Sequence, residues 1–180
     1  YRRPGTIISS NTSGIPIHLM TQGRSDDFKK HFLGTHFFNP PRYLRLLEII
    51  PTPDTDKDLV NFLMQFGERF LGKQTVLCKD TPAFIANRVG VYSMARIFQL
   101  TEELGLPIST VDKLTGPVIG RPNTGTFRLA DLVGHDTGVK VMQGIQHNCP
   151  DDEQAGAFNV PGYMQFLLDN KFLGNKTGQG

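Results

Sequence analysis

Glu48 lies in the middle of an apolar run, Leu46-Leu47-Glu48-Ile49-Ile50. A short run of this kind reads as a buried strand. A carboxylate inside it is costly to bury unless a charged or hydrogen-bonding group meets it. The nearest candidate in sequence is His36, in the apolar stretch Thr35-His36-Phe37-Phe38, with the bend Asn39-Pro40-Pro41 between the two runs. A fold that joins them gains an imidazole held by a buried carboxylate, which is a tuned base. The plainer reading is a structural histidine beside a glutamate at a sheet edge.

The rest of the first half supports a layered α/β arrangement. Thr6 to Ser10 reads as a strand running into the polar turn Asn11-Thr12-Ser13-Gly14. A short helix is expected around Ile15 to Met20, and strands at Thr35–Phe38, Leu44–Pro51 and Thr75–Cys78. Between the last two, Thr55 and Asp58 form a capping box, and Leu59, Phe62, Leu63, Phe66 and Phe70 follow at helical spacing up to Gly72. Strand, helix, strand is a βαβ-like unit.

At Lys79-Asp80-Thr81-Pro82 the texture changes. Thr81 reads as an N-cap with Pro82 at the first helical position, and the helix is expected to reach Leu104 before Gly105. Ser109 and Asp112 suggest another capping box, Asp136 a cap for a helix through Ile145, and Pro161 the start of one through Leu168. Gly116 to Thr126 reads as loop and residues 148–158 as an exposed connection. No strand is expected after residue 81. The fold class is therefore α/β followed by all-α, with domains at 1–80 and 81–180.

Composition excludes several functions. A formal charge of +2 over 180 residues is too small to imply a nucleic-acid or acidic-membrane partner. No apolar run approaches the ~20 residues of a membrane span. Cys78 and Cys149 match no metal or redox spacing and read as reduced thiols. His18, His31 and His147 have no ligand-spaced neighbours, so no metal site is expected. There is no G-x-G-x-x-G. Phe37, Phe38, Phe62, Phe66, Phe70, Phe84 and Phe98 read as core. The chain opens on Tyr1 rather than Met, and reads as a piece of a longer protein.

Two more residues join the chemical candidates. Ser13 follows a strand end and Asn87 lies near the start of the second-half helix. A hydroxyl and a carboxamide are suitable donors to a substrate oxygen. Equally, Ser13 fits a plain loop and Asn87 a capping or solvent-facing amide.

Ser10-Asn11-Thr12-Ser13, Thr35-His36-Phe37-Phe38-Asn39-Pro40, Cys78-Lys79-Asp80-Thr81-Pro82-Ala83-Phe84-Ile85-Ala86-Asn87-Arg88 and Lys176-Thr177-Gly178-Gln179-Gly180 together resemble the L-3-hydroxyacyl-CoA dehydrogenases, in order and approximate spacing. Gly120-Arg121-Pro122 and the segment from Thr126 to Asp136 look most like the long bacterial fusions that also carry an enoyl-CoA hydratase part. The resemblance implies the later strands of a Rossmann NAD-binding domain, lacking its first half, with an unpaired sheet edge. A helical domain like the C-terminal domain of 6-phosphogluconate dehydrogenase follows, used for substrate binding and homodimerisation. It implies His36 as the base for (S)-3-hydroxyacyl-CoA oxidation in fatty-acid β-oxidation, with Glu48 orienting it. It implies Ser13 and Asn87 on the acyl-CoA substrate, Ser13, Asn39 and Lys176 near NAD, and a bacterial cytoplasmic setting. Related hydroxyacid and sugar-nucleotide dehydrogenases rely on a lysine or cysteine instead, which the His36–Glu48 pair disfavours. As an isolated piece, the chain is expected to be inactive; the alternative is a non-catalytic dimerisation and acyl-CoA-binding module.

Overall fold

A computed structural model describes residues 2–180. They form two compact units, one up to Asn87 and the other Arg88–Gly180. In the first, β1 (Ile8–Ser10) is followed by a 3-10 turn at Ile17–Thr21, a short helix α1 (Asp26–Lys30), and the strands β2 (Phe32–Phe37) and β3 (Leu46–Pro51). Helix α2 (Lys57–Arg69) and strand β4 (Gln74–Leu77) complete it. The sheet order is β1-β2-β3-β4, with β1 at one edge. β1 pairs parallel with β2, β2 antiparallel with β3, and β3 parallel with β4 across α2.

Period-two alternation explains how both faces of this sheet fill. Leu33, Leu47 and Ile49 project to one face and pack under Leu59 and Val60 of α2. Phe32 and Ile50 project to the other, with Ile17, Cys78 and Phe84. Glu48 is one residue from Leu47 and Ile49, so it falls on this second face, fully buried. His36 shares that face because Glu48 is its register partner.

The expected strand–helix–strand unit is present, but three details of the first half differ. Asp56, not Thr55, caps α2 by accepting the Asp58 N–H at 2.7 Å. Thr55 is buried and donates to the Phe32 carbonyl at 2.8 Å, tying the loop to β2. Phe62, Phe66 and Phe70 are not core. They stack along the outside of α2 with ring centroids 6.0 and 5.4 Å apart. Two apolar stripes with i, i+4 spacing share this helix, and only one can face the sheet. Gly67 decides it: a Cβ there would lie 2.6 Å from Thr75 Cγ2, so the helix approaches closest along Leu59-Leu63-Gly67.

The second unit is helical. It contains most of α3 (Ala86–Glu103), then α4 (Ile108–Leu114), α5 (Phe127–Val133), α6 (His135–Asn148) and α7 (Gly162–Asp169). Among the described residues, the one β feature after residue 81 is an isolated bridge between Gly174 and Gln179. Three expected caps are absent. Thr81 does not start α3, because residues 82–85 form a turn first. Ser109 lies inside α4, whose first residue follows Pro107. Asp136 lies inside α6, which begins at His135. Asp112 caps a helix distant in sequence instead, accepting from Phe127 N at 2.6 Å and Arg128 N at 3.0 Å at the start of α5. That helix falls just after the expected loop, and a 3-10 turn, Pro117–Ile119, sits inside it. Residues 148–158 are not simply exposed: Ala157 and Phe158 are buried, with the Phe158 ring 6.3 Å from that of Tyr92.

Candidate active site

The parallel pairing of β1 and β2 puts their carboxyl ends on one side of the sheet. Open α/β sheets take ligands at strand carboxyl ends. Two groups shape the loop after β1. Asn11 Oδ1 accepts the Phe37 N–H at 2.8 Å, extending the tie between the strands. Thr12 Oγ1 accepts the Ile15 N–H at 3.1 Å and closes a small turn around Ser13. The next turn, Ile17–Thr21, is held by Asp80, which accepts from Ile17 N at 2.7 Å and His18 N at 2.8 Å.

Ser13, His36 and Glu48 come together. Glu48 Oε2 lies 2.7 Å from His36 Nδ1, and His36 Nε2 lies 3.1 Å from Ser13 Oγ. The carboxylate can only accept, so Nδ1 carries the proton and Nε2 presents its lone pair toward the Ser13 hydroxyl. His36 is 3% exposed and Glu48 0%, while Ser13 is open to solvent. The Phe38 ring meets the imidazole edge-on at 4.5 Å and the Phe84 ring tilts against it at 5.6 Å. The result is an imidazole walled on its sides by aromatic rings, beside an exposed hydroxyl.

The second oxygen of Glu48 is also occupied. Oε1 accepts the Ile85 N–H at 3.1 Å and the Ala86 N–H at 2.8 Å. Burial by itself pushes the Glu48 carboxyl up. The imidazole and the Ala86 and Ile85 amides outweigh it and hold the pKa below the usual value. The positive end of helix α3 favours the same ionised form. Beside it, burial and the Glu48 charge push the Cys78 thiol up to about 12. A thiol so shifted stays protonated and is no nucleophile at neutral pH.

The remaining candidates are placed less directly. Asn87 is the residue after Ala86 and is half-buried. Asn39 is exposed in the loop after β2, beside Pro40. Lys176 belongs to the other unit, where its ammonium donates to Asp136 Oδ1 at 2.9 Å and Thr137 Oγ1 at 2.7 Å. Among the described residues no cluster of three or more His, Cys, Asp or Glu side chains could hold a metal ion, and no helix is long and apolar enough to cross a membrane.

Sequence reasoning missed Asn11, Asp80 and the amides of Ile85 and Ala86. Asn11 was legible as an amide at a strand end, but not its partner. Asp80 sits in a stretch that reads as a helix cap and in fact serves a turn more than sixty residues earlier.

Two family models match the chain. Residues 1–81 match the family model described as 3-hydroxyacyl-CoA dehydrogenase, NAD binding domain. Residues 84–180 match that of the 3-hydroxyacyl-CoA dehydrogenase C-terminal domain. A probable 3-hydroxyacyl-CoA dehydrogenase of Bacillus subtilis is 50% identical over 180 residues, all of this chain but 23% of the relative. A putative fatty acid oxidation complex trifunctional enzyme of Rickettsia felis is 34% identical over 182 residues, covering 25% of its length. The crystal structure of (S)-3-hydroxybutyryl-CoA dehydrogenase from Ralstonia eutropha superposes with a TM-score of 0.83 at 28% identity. That match covers 97% of this chain and 59% of the other.

Proposed function

Because this chain belongs to the 3-hydroxyacyl-CoA dehydrogenase family, we propose that the protein containing it oxidises (S)-3-hydroxyacyl-CoA to 3-oxoacyl-CoA with NAD, in fatty-acid β-oxidation. The observation that carries the reading is the polarised relay from Glu48 Oε2 through His36 to the exposed Ser13 hydroxyl. NAD, when bound, supplies the hydride acceptor. His36 Nε2 takes the proton of the substrate 3-hydroxyl as C3 gives up its hydride, leaving a carbonyl. The imidazolium so formed stays bonded through Nδ1–H to an ionised Glu48, which is the role of the acid in a catalytic triad. Ser13 and Asn87 orient the substrate oxygens in this proposal.

The residues present suit one end of the cofactor. Ser13 and Asn39 are exposed at the carboxyl ends of parallel strands, which fits the nicotinamide side, and Lys176 is assigned to the same ligand by resemblance. The 180 residues contain no G-x-G-x-x-G to cradle the pyrophosphate. That observation favours a second reading for the isolated chain, as a module for dimerisation and acyl-CoA binding without turnover. Calorimetric titration with NADH separates the two: tight binding by the isolated chain counts against the module reading.

The proposal extends to a homodimer through the helical unit, to an enoyl-CoA hydratase part in the same parent, and to the bacterial cytoplasm. Two free, buried cysteines are in keeping with a reducing compartment. In the intact dehydrogenase, His36→Ala should lower kcat by roughly 10²–10⁴-fold, the usual contribution of a general base. Unchanged turnover would rule the assignment out.

A further inference from the structure

The turn before helix α3 holds a backbone anomaly. Ala83 has φ 63° and Phe84 φ 51°, two consecutive left-handed residues, neither of them glycine. Each is unfavourable relative to ordinary backbone. For a residue as bulky as Phe the conformation is an outlier. Such conformations persist only where the surroundings over-determine them. Here the Phe84 side chain is 3% exposed, packed with Ile17, Phe32, Ile50 and Cys78, and its N–H donates to the Thr81 carbonyl at 3.0 Å.

The turn has a visible product. The next two amides, Ile85 and Ala86, both donate to Glu48 Oε1. The terminal torsion of a glutamate is broad, with no intrinsic preference that would hold the carboxylate plane. With one oxygen bonded to His36 alone, the plane could swing and the imidazole with it. With the other oxygen held by two fixed N–H groups, it cannot.

We propose that Ala83 and Phe84 are positioning residues for the proton-transfer pair: their left-handed turn locks Glu48 Oε1, so that Oε2 is committed to His36 Nδ1. The proposal rests on the reading of His36 as the base. Phe84 contributes twice, since its ring also lies against the imidazole. The titratable side chains facing Glu48 are His36 from β2 and Cys78 just after β4.

The test begins with the unsubstituted chain. Nuclear magnetic resonance should show the Ile85 and Ala86 amide resonances inflecting at the same pH as the Glu48 carboxyl carbon. Amides indifferent to that titration overturn the proposal. Ala86→Pro then deletes the shorter bond at the start of a helix, where proline is tolerated. It should raise the Glu48 midpoint by roughly one pH unit and lower kcat of the intact dehydrogenase by about 10²-fold, with KM for acyl-CoA little changed. Ala83→Val, whose branched side chain resists the left-handed turn, should move both in the same direction. A folded Ala86→Pro chain with an unmoved Glu48 midpoint overturns the proposal. An active His36→Ala enzyme would instead overturn the base reading while leaving the amide titration intact, so the two failures are distinct.

Discussion

Glu48 stands directly opposite His36 in the antiparallel register of β3 and β2, and its carboxylate closes to 2.7 Å on the imidazole. Directly opposed residues on one sheet face are close enough for short side chains to meet. Neither side chain has to stretch, and neither has another place to go.

Replacing the carboxylate by an amide separates charge from shape. In Glu48→Gln, the Ile85 and Ala86 amides keep the carbonyl oxygen of the new side chain facing them, since only it can accept. The NH₂ group then faces His36 Nδ1 and forces the proton onto Nε2, the wrong tautomer for a base. Turnover of the intact enzyme should fall by about 10⁴-fold, as when the carboxylate of a triad becomes an amide. Steady-state kinetics with an acyl-CoA substrate checks this.

Stability should weaken on the acid side. The Glu48 carboxyl titrates below its ordinary value of 4.5 in the folded chain. A depressed folded pKa contributes stability that is present above the unfolded value and is lost as pH falls through the folded one. Urea denaturation at a series of pH values should therefore show stability declining below pH about 4.5. The decline should be shallower in Glu48→Gln. Equal slopes in the two proteins would mean that Glu48 is not a source of the acid sensitivity.

Asp112 should matter to the fold alone. It supplies both side-chain caps at the start of α5, and Asp112→Ala should cost about 0.5–2 kcal/mol in chemical denaturation. Asp112→Asn, which retains one accepting oxygen, should cost less. Gly125 beneath it carries a φ of +65° and brings a hypothetical Cβ to 2.5 Å from the Asp112 carbonyl. This corner has no room for adjustment.

Lys176 tests a different expectation. Its bonds to Asp136 and Thr137 are half-exposed, and such a pair contributes at most about 1 kcal/mol. Lys176→Met should leave the melting temperature nearly unchanged while raising KM for NAD in the intact dehydrogenase. A large loss of stability with unaltered KM would reassign this lysine to a structural role.

Much of this was legible from one dimension because the physics is local. A continuous apolar run broken by one carboxylate reads as a strand that needs a partner for that carboxylate, and the imidazole one bend earlier was the nearest candidate. Helical spacing in α2 was equally plain. What failed was the choice among groups of similar local fitness. Thr81, Ser109 and Asp136 all look like caps, yet Thr81 is followed by a turn and the other two lie inside their helices. Phe62, Phe66 and Phe70 repeat as a core stripe should, yet stack in the open.

The sequence by itself determined the α/β and then all-α order and the strand–helix–strand unit, which follow from periodicity, and the cost of burying a charge made His36 the nearest candidate partner for Glu48. Only the tertiary structure decided that Glu48 also receives the Ile85 and Ala86 amides, after a left-handed turn at Ala83 and Phe84. An amide N–H belongs to every residue alike except proline. Which two of them reach a buried carboxylate depends on where the packed core holds the backbone, and no side-chain pattern along the chain carries that information.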